Sequence, residues 1–241
     1  MSKSEPVNSS TLRINLEQAL PLLGLSLTAH QTDALMNYLD LIQKWNKVYN
    51  LTAVRDPADM LTHHLLDSLA VIVPLRARLE ATQNALPHLA AATSGPVHAP
   101  VATRLLDVGS GAGLPGIVIA ICCPGIQVDC VDTVAKKAAF IQQAAVTLKL
   151  ANLRGVHARV ESLAGPYDVI SSRAFASLVD FTTWSHAALA EQGIWMAMKG
   201  KHPDDELAAL PQSVEVFHVE QLSVPGLDAE RCIVWMRVRR V

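Results

Sequence analysis

The chain has 241 residues, of which 50% are hydrophobic and 17% are charged, and this balance is too apolar for a disordered protein. Its 20 basic and 22 acidic side chains give a formal net charge of −2, so a nucleic acid would have to be bound by a local basic patch. The four cysteines lack metal or disulfide spacing, which is typical of a reducing compartment. The polar start does not resemble a signal peptide, and no apolar run reaches the ~20 residues of a membrane span. We therefore expect a soluble, cytoplasmic protein with no membrane partner.

Residues 1–89 are predicted to form a helical N-terminal extension. Thr28 and Gln31 have capping-box spacing and are followed by apolar residues at helical intervals. The pair Asp56-Pro57 is typical of the start of another helix, which we expect to end near Pro74. No strand pattern of any length occurs in this part of the sequence.

Residues 90–103 have small, proline-bearing composition and no periodicity. This pattern is typical of a flexible linker, and it also fits a plain surface loop. The domain boundaries that we predict are 1–89 for the extension, 90–103 for the linker and 104–241 for a second, larger domain.

Residues 104–241 alternate short apolar runs with helical stretches, which indicates an α/β fold with an open, mostly parallel sheet. The last two strands have only a short Pro-Gly connection between them, so we expect an antiparallel edge at the C-terminal end of the sheet. The predicted strands are 105–108, 128–131, 155–158, 168–171, 194–198, 213–222 and 231–239, and the predicted helices are 115–123 and 133–150.

A glycine-rich turn follows the first of these strands. Residues 107–113 read D-x-G-x-G-x-G and residues 111–116 read G-x-G-x-x-G, so the turn lets a ligand approach the backbone closely. Asp132 lies 21 residues beyond Gly111, where an acidic residue would meet an adenosine ribose, or it simply caps the next helix. The turn alone fits a dinucleotide, S-adenosylmethionine (AdoMet) or no ligand. The position of Asp107 favours AdoMet, with its carboxylate near the methionine ammonium.

Besides the glycine turn at Asp107 to Gly116, four segments match the motifs of a known family: Trp45 to Thr52, His64 to Ser68, Ser172 to Leu178 and Met198 to Gly200. On these segments the chain resembles the glucose-inhibited division protein B family of bacterial small-subunit rRNA methyltransferases, which make 7-methylguanosine. Two departures are the linker, which is longer than usual in the family, and Thr133, where the family commonly has serine.

The resemblance implies a Rossmann-like AdoMet-dependent methyltransferase domain and a set of cofactor-binding residues. Val160 offers a backbone N–H to the adenine ring, and Glu161 accepts from its exocyclic amine, although Glu161 also fits a solvated loop residue. Arg173 follows a strand end and points into the ligand crevice, or it forms a purely structural ion pair. Including the turn and its acidic partner, the predicted cofactor-binding residues are Gly109, Gly111, Gly113, Leu114, Asp132, Val160, Glu161 and Arg173.

The implied substrate is guanine N7 in 16S rRNA, within the small ribosomal subunit or its assembly intermediate. Guanine N7 already presents a lone pair and loses no proton on methylation, so alignment and electrostatic support matter more than a base. We therefore assign no catalytic residue and expect no general base. We expect a monomer, in which Arg173, Lys199 and Lys201 contact the RNA.

Three alternatives bear on the site and the function. A metal site at His63 and His64 is disfavoured, because adjacent residues of a helix point about 100° apart, and no metal is predicted. The G-x-G-x-x-G turn with Asp132 leaves an NAD(P)-dependent oxidoreductase as one rival function. The other rival is a non-catalytic rRNA-binding assembly factor.

Overall fold

The computed structural model describes residues 8–90 and 102–240, with side chains for all of them except 83–90. Most of the predicted linker, 91–101, lies outside the described residues. The described part before it is helical, as predicted. Its elements are α1 (Ser9–Leu22), α2 (Ala29–Tyr49), α3 (Pro57–Met60), a π-helical turn (Leu61–Leu66), α4 (Asp67–Leu69) and α5 (Ile72–Ala90).

Local capping explains where these helices begin. The Thr28 side chain accepts from the backbone N–H of Gln31, and the Gln31 side chain accepts in return from the Thr28 N–H, so the predicted capping box is confirmed. Asp56 caps α3 through two backbone N–H groups, as its position before Pro57 predicted. The predicted helix end near Pro74 is wrong, because Pro74 lies in the first turn of α5, where its missing N–H costs no hydrogen bond.

The second part forms a seven-stranded sheet in the order β3-β2-β1-β4-β5-β7-β6. Strands β1 to β5 are parallel, and β7 runs antiparallel to both β5 and β6. This confirms the predicted open α/β sheet with an antiparallel C-terminal edge. The strands are β1 (Arg104–Val108), β2 (Gln127–Asp132), β3 (Leu153–His157), β4 (Tyr167–Arg173), β5 (Leu189–Lys199), β6 (Val214–Leu222) and β7 (Arg231–Val238); the helices are α6 (Gly116–Cys122), α7 (Ala135–Thr147), α8 (Leu178–Ser185) and α9 (Asp204–Ala208).

The helical extension shares one hydrophobic core with α6 and α7. Leu35 and Ile42 of α2 are fully buried in the same cluster as Ile117 and Phe140, and Trp45 packs edge-on against Phe140 at 5.4 Å between ring centroids. Burial of this apolar surface fixes the extension against one face of the sheet. A second cluster, which includes Trp195, covers the other face.

Polar contacts add to this packing at the end of α6. The Gln31 side-chain amide donates to the carbonyls of Ile121 and Cys122, and Arg76 donates to the Cys122 carbonyl. These carbonyls belong to the last turn of α6, which has no intrahelical donors for them. The extension thus caps the helix that follows the glycine turn. No helix in the described residues is long and apolar enough to cross a membrane.

Candidate cofactor and active site

The glycine turn lies at the carboxyl end of β1, between β2 and β4. The strand order reverses at β1, with β2 and β3 on one side and β4 and β5 on the other, which opens a crevice where ligands bind in such sheets. Three glycines of the turn have positive φ, at 65° for Gly109, 58° for Gly111 and 87° for Gly113. A Cβ built on Gly111 would meet only the Gly109 carbonyl oxygen, at 4.0 Å. The space above Gly111 is therefore open to a ligand.

Asp107 has a different role from the one that we predicted. Its side chain is fully buried and lines neither of the two cavities described below. Its carboxylate accepts hydrogen bonds from the backbone N–H of Gly116 and from the Ser171 hydroxyl, at 3.0 and 2.9 Å. Asp107 thus joins β1, β4 and the start of α6 beneath the turn, and its carboxylate faces neither cavity. Burial raises the pKa of Asp107 to about 7, against the opposing effect of these hydrogen bonds.

Asp132, at the end of β2, is placed beside the turn. One carboxylate oxygen accepts from the Gly111 N–H at 3.0 Å and the other from the Val134 N–H at 2.8 Å. Helix α7 has Val134 as its N-cap and no side-chain cap. The alternative that Asp132 caps this helix is therefore wrong. Each carboxylate oxygen keeps a further lone pair, and Asp132 lines a cavity.

That cavity, of about 330 Å³, opens between the ends of β2, β3 and β4. Val160 and Glu161 form part of its wall, in the short helical turn after β3. Phe175 and Trp184 form an aromatic wall, edge to face at 5.9 Å between ring centroids. The Glu161 carboxylate lies 3.3 Å from the Arg159 guanidinium. The structure therefore brings Asp132, Val160 and Glu161 together around one cavity.

A larger cavity, of about 450 Å³, lies on the other side of the turn. Gly109, Gly111 and Leu114 line it from the turn, whereas the buried Gly113 packs against Ile117. The helical extension supplies the opposite wall, and its contributing residues are Leu51, Thr52, His63, His64 and Asp67. Gly109 and Ala174 line both cavities, so the two adjoin at the turn.

Tyr38 fixes the extension directly to the turn. Its side chain is fully buried, and its hydroxyl donates to the Ala112 carbonyl at 2.6 Å. Burial raises the pKa of Tyr38 well above its usual value of 10.0, so the phenol stays protonated and remains a donor.

Arg173 ends β4 and lines the larger cavity. Its Nη1 donates to the Asp67 carboxylate and to the His63 carbonyl, both at 2.9 Å. Arg173 therefore forms an ion pair and also lies at the crevice, which are the two roles that the sequence left open. The next residue, Ala174, has φ 51°, a strained value for alanine. This bend places Arg173 in one cavity wall and Phe175 in the other.

The lysines that we predicted as RNA contacts differ in their surroundings. Lys199 lines the larger cavity, and its ammonium is bound to both Glu206 carboxylate oxygens, at 2.9 and 2.7 Å, and to the Ala176 carbonyl. Lys201 is exposed. Among the described residues, no three His, Cys, Asp or Glu side chains lie where they could share a metal ion.

Several cavity or turn residues were not in the site predicted from the sequence, among them Tyr38, Asp67, Trp184 and Arg231. Asp67 offered one signal, because its spacing of three from His64 puts both side chains on one helical face. Tyr38 and Arg231 offered none, since their partners lie 74 and 164 residues away in the chain.

The seven-stranded sheet with its reversed final hairpin, and the glycine turn at its switch point, define the Rossmann-like fold of methyltransferases. The model of the family described as rRNA small subunit methyltransferase G matches residues 31–82 and 87–234. The chain belongs to this family.

Individual relatives agree over nearly their whole lengths. The chain is 62% identical over 231 residues to "Ribosomal RNA small subunit methyltransferase G" of Acidovorax ebreus (strain TPSY), which covers 96% of this chain and 97% of that one. It is 66% identical over 226 residues to the protein of the same name from Albidiferax ferrireducens, with 92% and 97% covered. The resemblance stated from the sequence motifs is thereby confirmed.

Proposed function

We propose that this chain transfers a methyl group from AdoMet to N7 of a guanine in 16S rRNA. One observation carries the proposal: two adjoining cavities meet at the glycine turn, one beside Asp132 and the other beside Gly111 and Arg173. An elongated cofactor with an adenosine end and an amino-acid end fits this arrangement. Membership of the rRNA methyltransferase family supports the reaction type and the RNA substrate.

The residues present fit AdoMet at both ends. In the smaller cavity, the Asp132 carboxylate is held by two backbone N–H groups and accepts from ribose hydroxyls, while Val160 and Glu161 meet the adenine edge. In the larger cavity, Gly111 leaves room for the methionine portion, with Leu114 packing against its chain. Bound there, AdoMet supplies an activated methyl group on a sulfonium.

The residues of the chain align the acceptor base rather than remove a proton from it. Guanine N7 attacks with its own lone pair, so the site needs orientation and exclusion of water. Burial and the Arg173 charge lower the pKa of His64 to about 4, and the His64 Nε2 lies 2.7 Å from the Thr52 hydroxyl. His64 is therefore neutral near pH 7 and adds no positive charge close to the base, which becomes cationic as it is methylated. We assign no general base.

RNA is bound, in this proposal, by cations at the rim of the larger cavity. Arg173 and Lys199 line that cavity, and the exposed Lys201 follows two residues after Lys199. Phosphate contacts of this kind weaken steeply as salt rises. The substrate is the small ribosomal subunit or its assembly intermediate, and the enzyme acts as a monomer in the cytoplasm, where that particle is assembled.

Calorimetry with AdoMet and with NAD tests the cofactor. We expect AdoMet to bind with one site per chain and NAD to give no heat above the dilution control. Binding of NAD without AdoMet would instead favour an oxidoreductase. As a matched variant, Gly111→Val puts a β-branched side chain at positive φ into the open space and should abolish AdoMet binding while the fold persists, as checked by circular dichroism.

A further inference from the structure

We propose that Asp67 is a positioning residue of the methyl-transfer site, which holds Arg173 and Arg231 side by side so that together they bind an anionic group in the larger cavity. The proposal rests on the proposed function. The anion is either the methionine carboxylate of AdoMet or a phosphate of the acceptor RNA, and both present the same chemistry, negatively charged oxygens that accept from guanidinium N–H groups.

The geometry at Asp67 is that of one carboxylate between two guanidiniums. Its Oδ2 accepts from Nη1 of Arg173 at 2.9 Å, and its Oδ1 accepts from Nε of Arg231 at 2.7 Å. The Asp67 side chain is only 3% exposed, whereas those of Arg173 and Arg231 are 21% and 23% exposed. The carboxylate is thus buried behind the two guanidiniums, and all three residues line the cavity.

Further contacts hold each guanidinium in place. Arg173 Nη1 also donates to the His63 carbonyl, and Arg231 Nη1 donates to the Glu230 carbonyl at 2.8 Å. A guanidinium carries five N–H groups in a rigid plane. The contacts of Arg173 involve Nη1 alone, and those of Arg231 involve Nε and one N–H of Nη1. Each side chain therefore keeps donor groups for a ligand.

The charges of the cluster do not cancel. Two guanidiniums and one carboxylate leave one positive charge at the wall of a partly buried cavity. The other cation of this wall, Lys199, is neutralised by Glu206, and the nearby His64 is neutral near pH 7. An anion entering the larger cavity therefore meets a fixed positive pair, whose attraction is stronger here than at an exposed surface.

Asp67 is required because the two arginines come from separate strands. Arg173 ends β4 and Arg231 begins β7, and β5 lies between these strands in the sheet. Without the carboxylate the two like charges repel each other, and their side chains regain freedom to move apart. The helical extension thereby sets the geometry of a site that belongs mainly to the sheet.

The variant Asp67→Asn removes the charge and keeps the shape. Asp33→Asn is the matched control, because Asp33 also forms an ion pair with an arginine, Arg13, on the exposed surface of the extension. Arg231→Gln is the second variant, because Arg231 is partly exposed. When Arg231 is lost, the buried Asp67 carboxylate keeps its ion pair with Arg173. Each protein is tested for folding by urea denaturation before its ligand binding is measured.

Two arms of the experiment distinguish the two anions. Calorimetry compares S-adenosylhomocysteine, which has the methionine carboxylate, with 5′-methylthioadenosine, which lacks it. Steady-state methylation of small ribosomal subunits gives kcat and KM for the RNA at several salt concentrations. If the anion is the carboxylate, Asp67→Asn and Arg231→Gln weaken only the homocysteine ligand, by about tenfold or more, as for a lost charge-assisted hydrogen bond. If it is a phosphate, both variants raise KM for the subunit with little change in kcat, and Arg231→Gln, which removes a cation, also lowers the salt slope by about 1.

A structural role alone would lower stability without these selective effects. The proposal is overturned if both variants fold and match wild type and Asp33→Asn in both arms. It is also overturned if the variants weaken the binding of both nucleoside ligands and of the ribosomal subunit to the same extent. If the wild-type protein neither binds AdoMet nor methylates the subunit, the proposed function fails and this proposal fails with it. If the wild-type protein is active and the variants behave like it, only the proposed role of Asp67 is refuted.

Discussion

The hydrogen bond between Tyr38 and the glycine turn gives a prediction with a defined size. Tyr38→Phe removes one hydroxyl from a fully buried side chain and leaves the Ala112 carbonyl without the donor that it has at 2.6 Å. A net hydrogen bond contributes about 0.5–1.5 kcal/mol, and an unsatisfied buried acceptor costs about 1–3 kcal/mol. We therefore expect the free energy of unfolding to fall by about 1–2 kcal/mol. For a chain of this size that corresponds to roughly 2–8 °C in Tm.

The assay is urea or thermal denaturation followed by circular dichroism, with AdoMet calorimetry on the same samples. Tyr49→Phe is the matched control, because Tyr49 ends the same helix and is 39% exposed; its stability should stay within about 0.5 kcal/mol of wild type. Since the lost bond holds the turn, AdoMet affinity should also fall, by no more than about tenfold for 1.4 kcal/mol. Equal stability of Tyr38→Phe and Tyr49→Phe would refute the anchoring of the turn by Tyr38.

Three further predictions concern single side chains around the turn. The folded pKa of Asp107, about 7, lies above its ordinary value of 3.8, so its contribution to stability is complete below pH 4 and is lost as pH rises through 7. In urea denaturation across this range, the free energy of unfolding of the wild-type protein should decline relative to that of Asp107→Asn. A difference between the two proteins that does not change with pH would contradict this prediction. Ala174→Gly should raise the free energy of unfolding by up to about 1 kcal/mol, because it relieves the positive φ of 51° at some cost in unfolded-state entropy; a clear loss of stability would show that the bend is not strained. Gln31→Ala should cost about 1–2 kcal/mol, because the Gln31 side chain accepts from the Thr28 N–H in the capping box and donates two bonds to the end of α6. Gln43→Ala on the same helix is the reference in the same denaturation series.

The parts of the fold that could be predicted depend on local pattern. The capping box at Thr28 and Gln31 acts within one helical turn, so a few residues suffice to identify it. The buried strand before the glycine turn has the same local character. The alternation of short apolar runs with helical stretches predicted the sheet and its antiparallel edge, because side-chain periodicity reports directly on which elements are buried.

The parts that could not be predicted depend on contacts between distant residues. Nothing near Arg231 in the sequence indicates that its partner is Asp67, 164 residues earlier. The direction of the Asp107 side chain is another case, since the D-x-G-x-G-x-G pattern gives its position but not whether it faces the cavity or the core. Pro74 shows the limit of a local rule, because proline ends one helix and begins another with equal ease.

Nucleoside mass spectrometry of 16S rRNA tests the central claim most directly. Small ribosomal subunits from a strain lacking this gene are incubated with the purified protein and AdoMet carrying a labelled methyl group. The account predicts one labelled 7-methylguanosine per 16S molecule with the wild-type protein, and none with Gly111→Val. Label in any other nucleoside, or 7-methylguanosine levels that are the same with and without the gene, would contradict it.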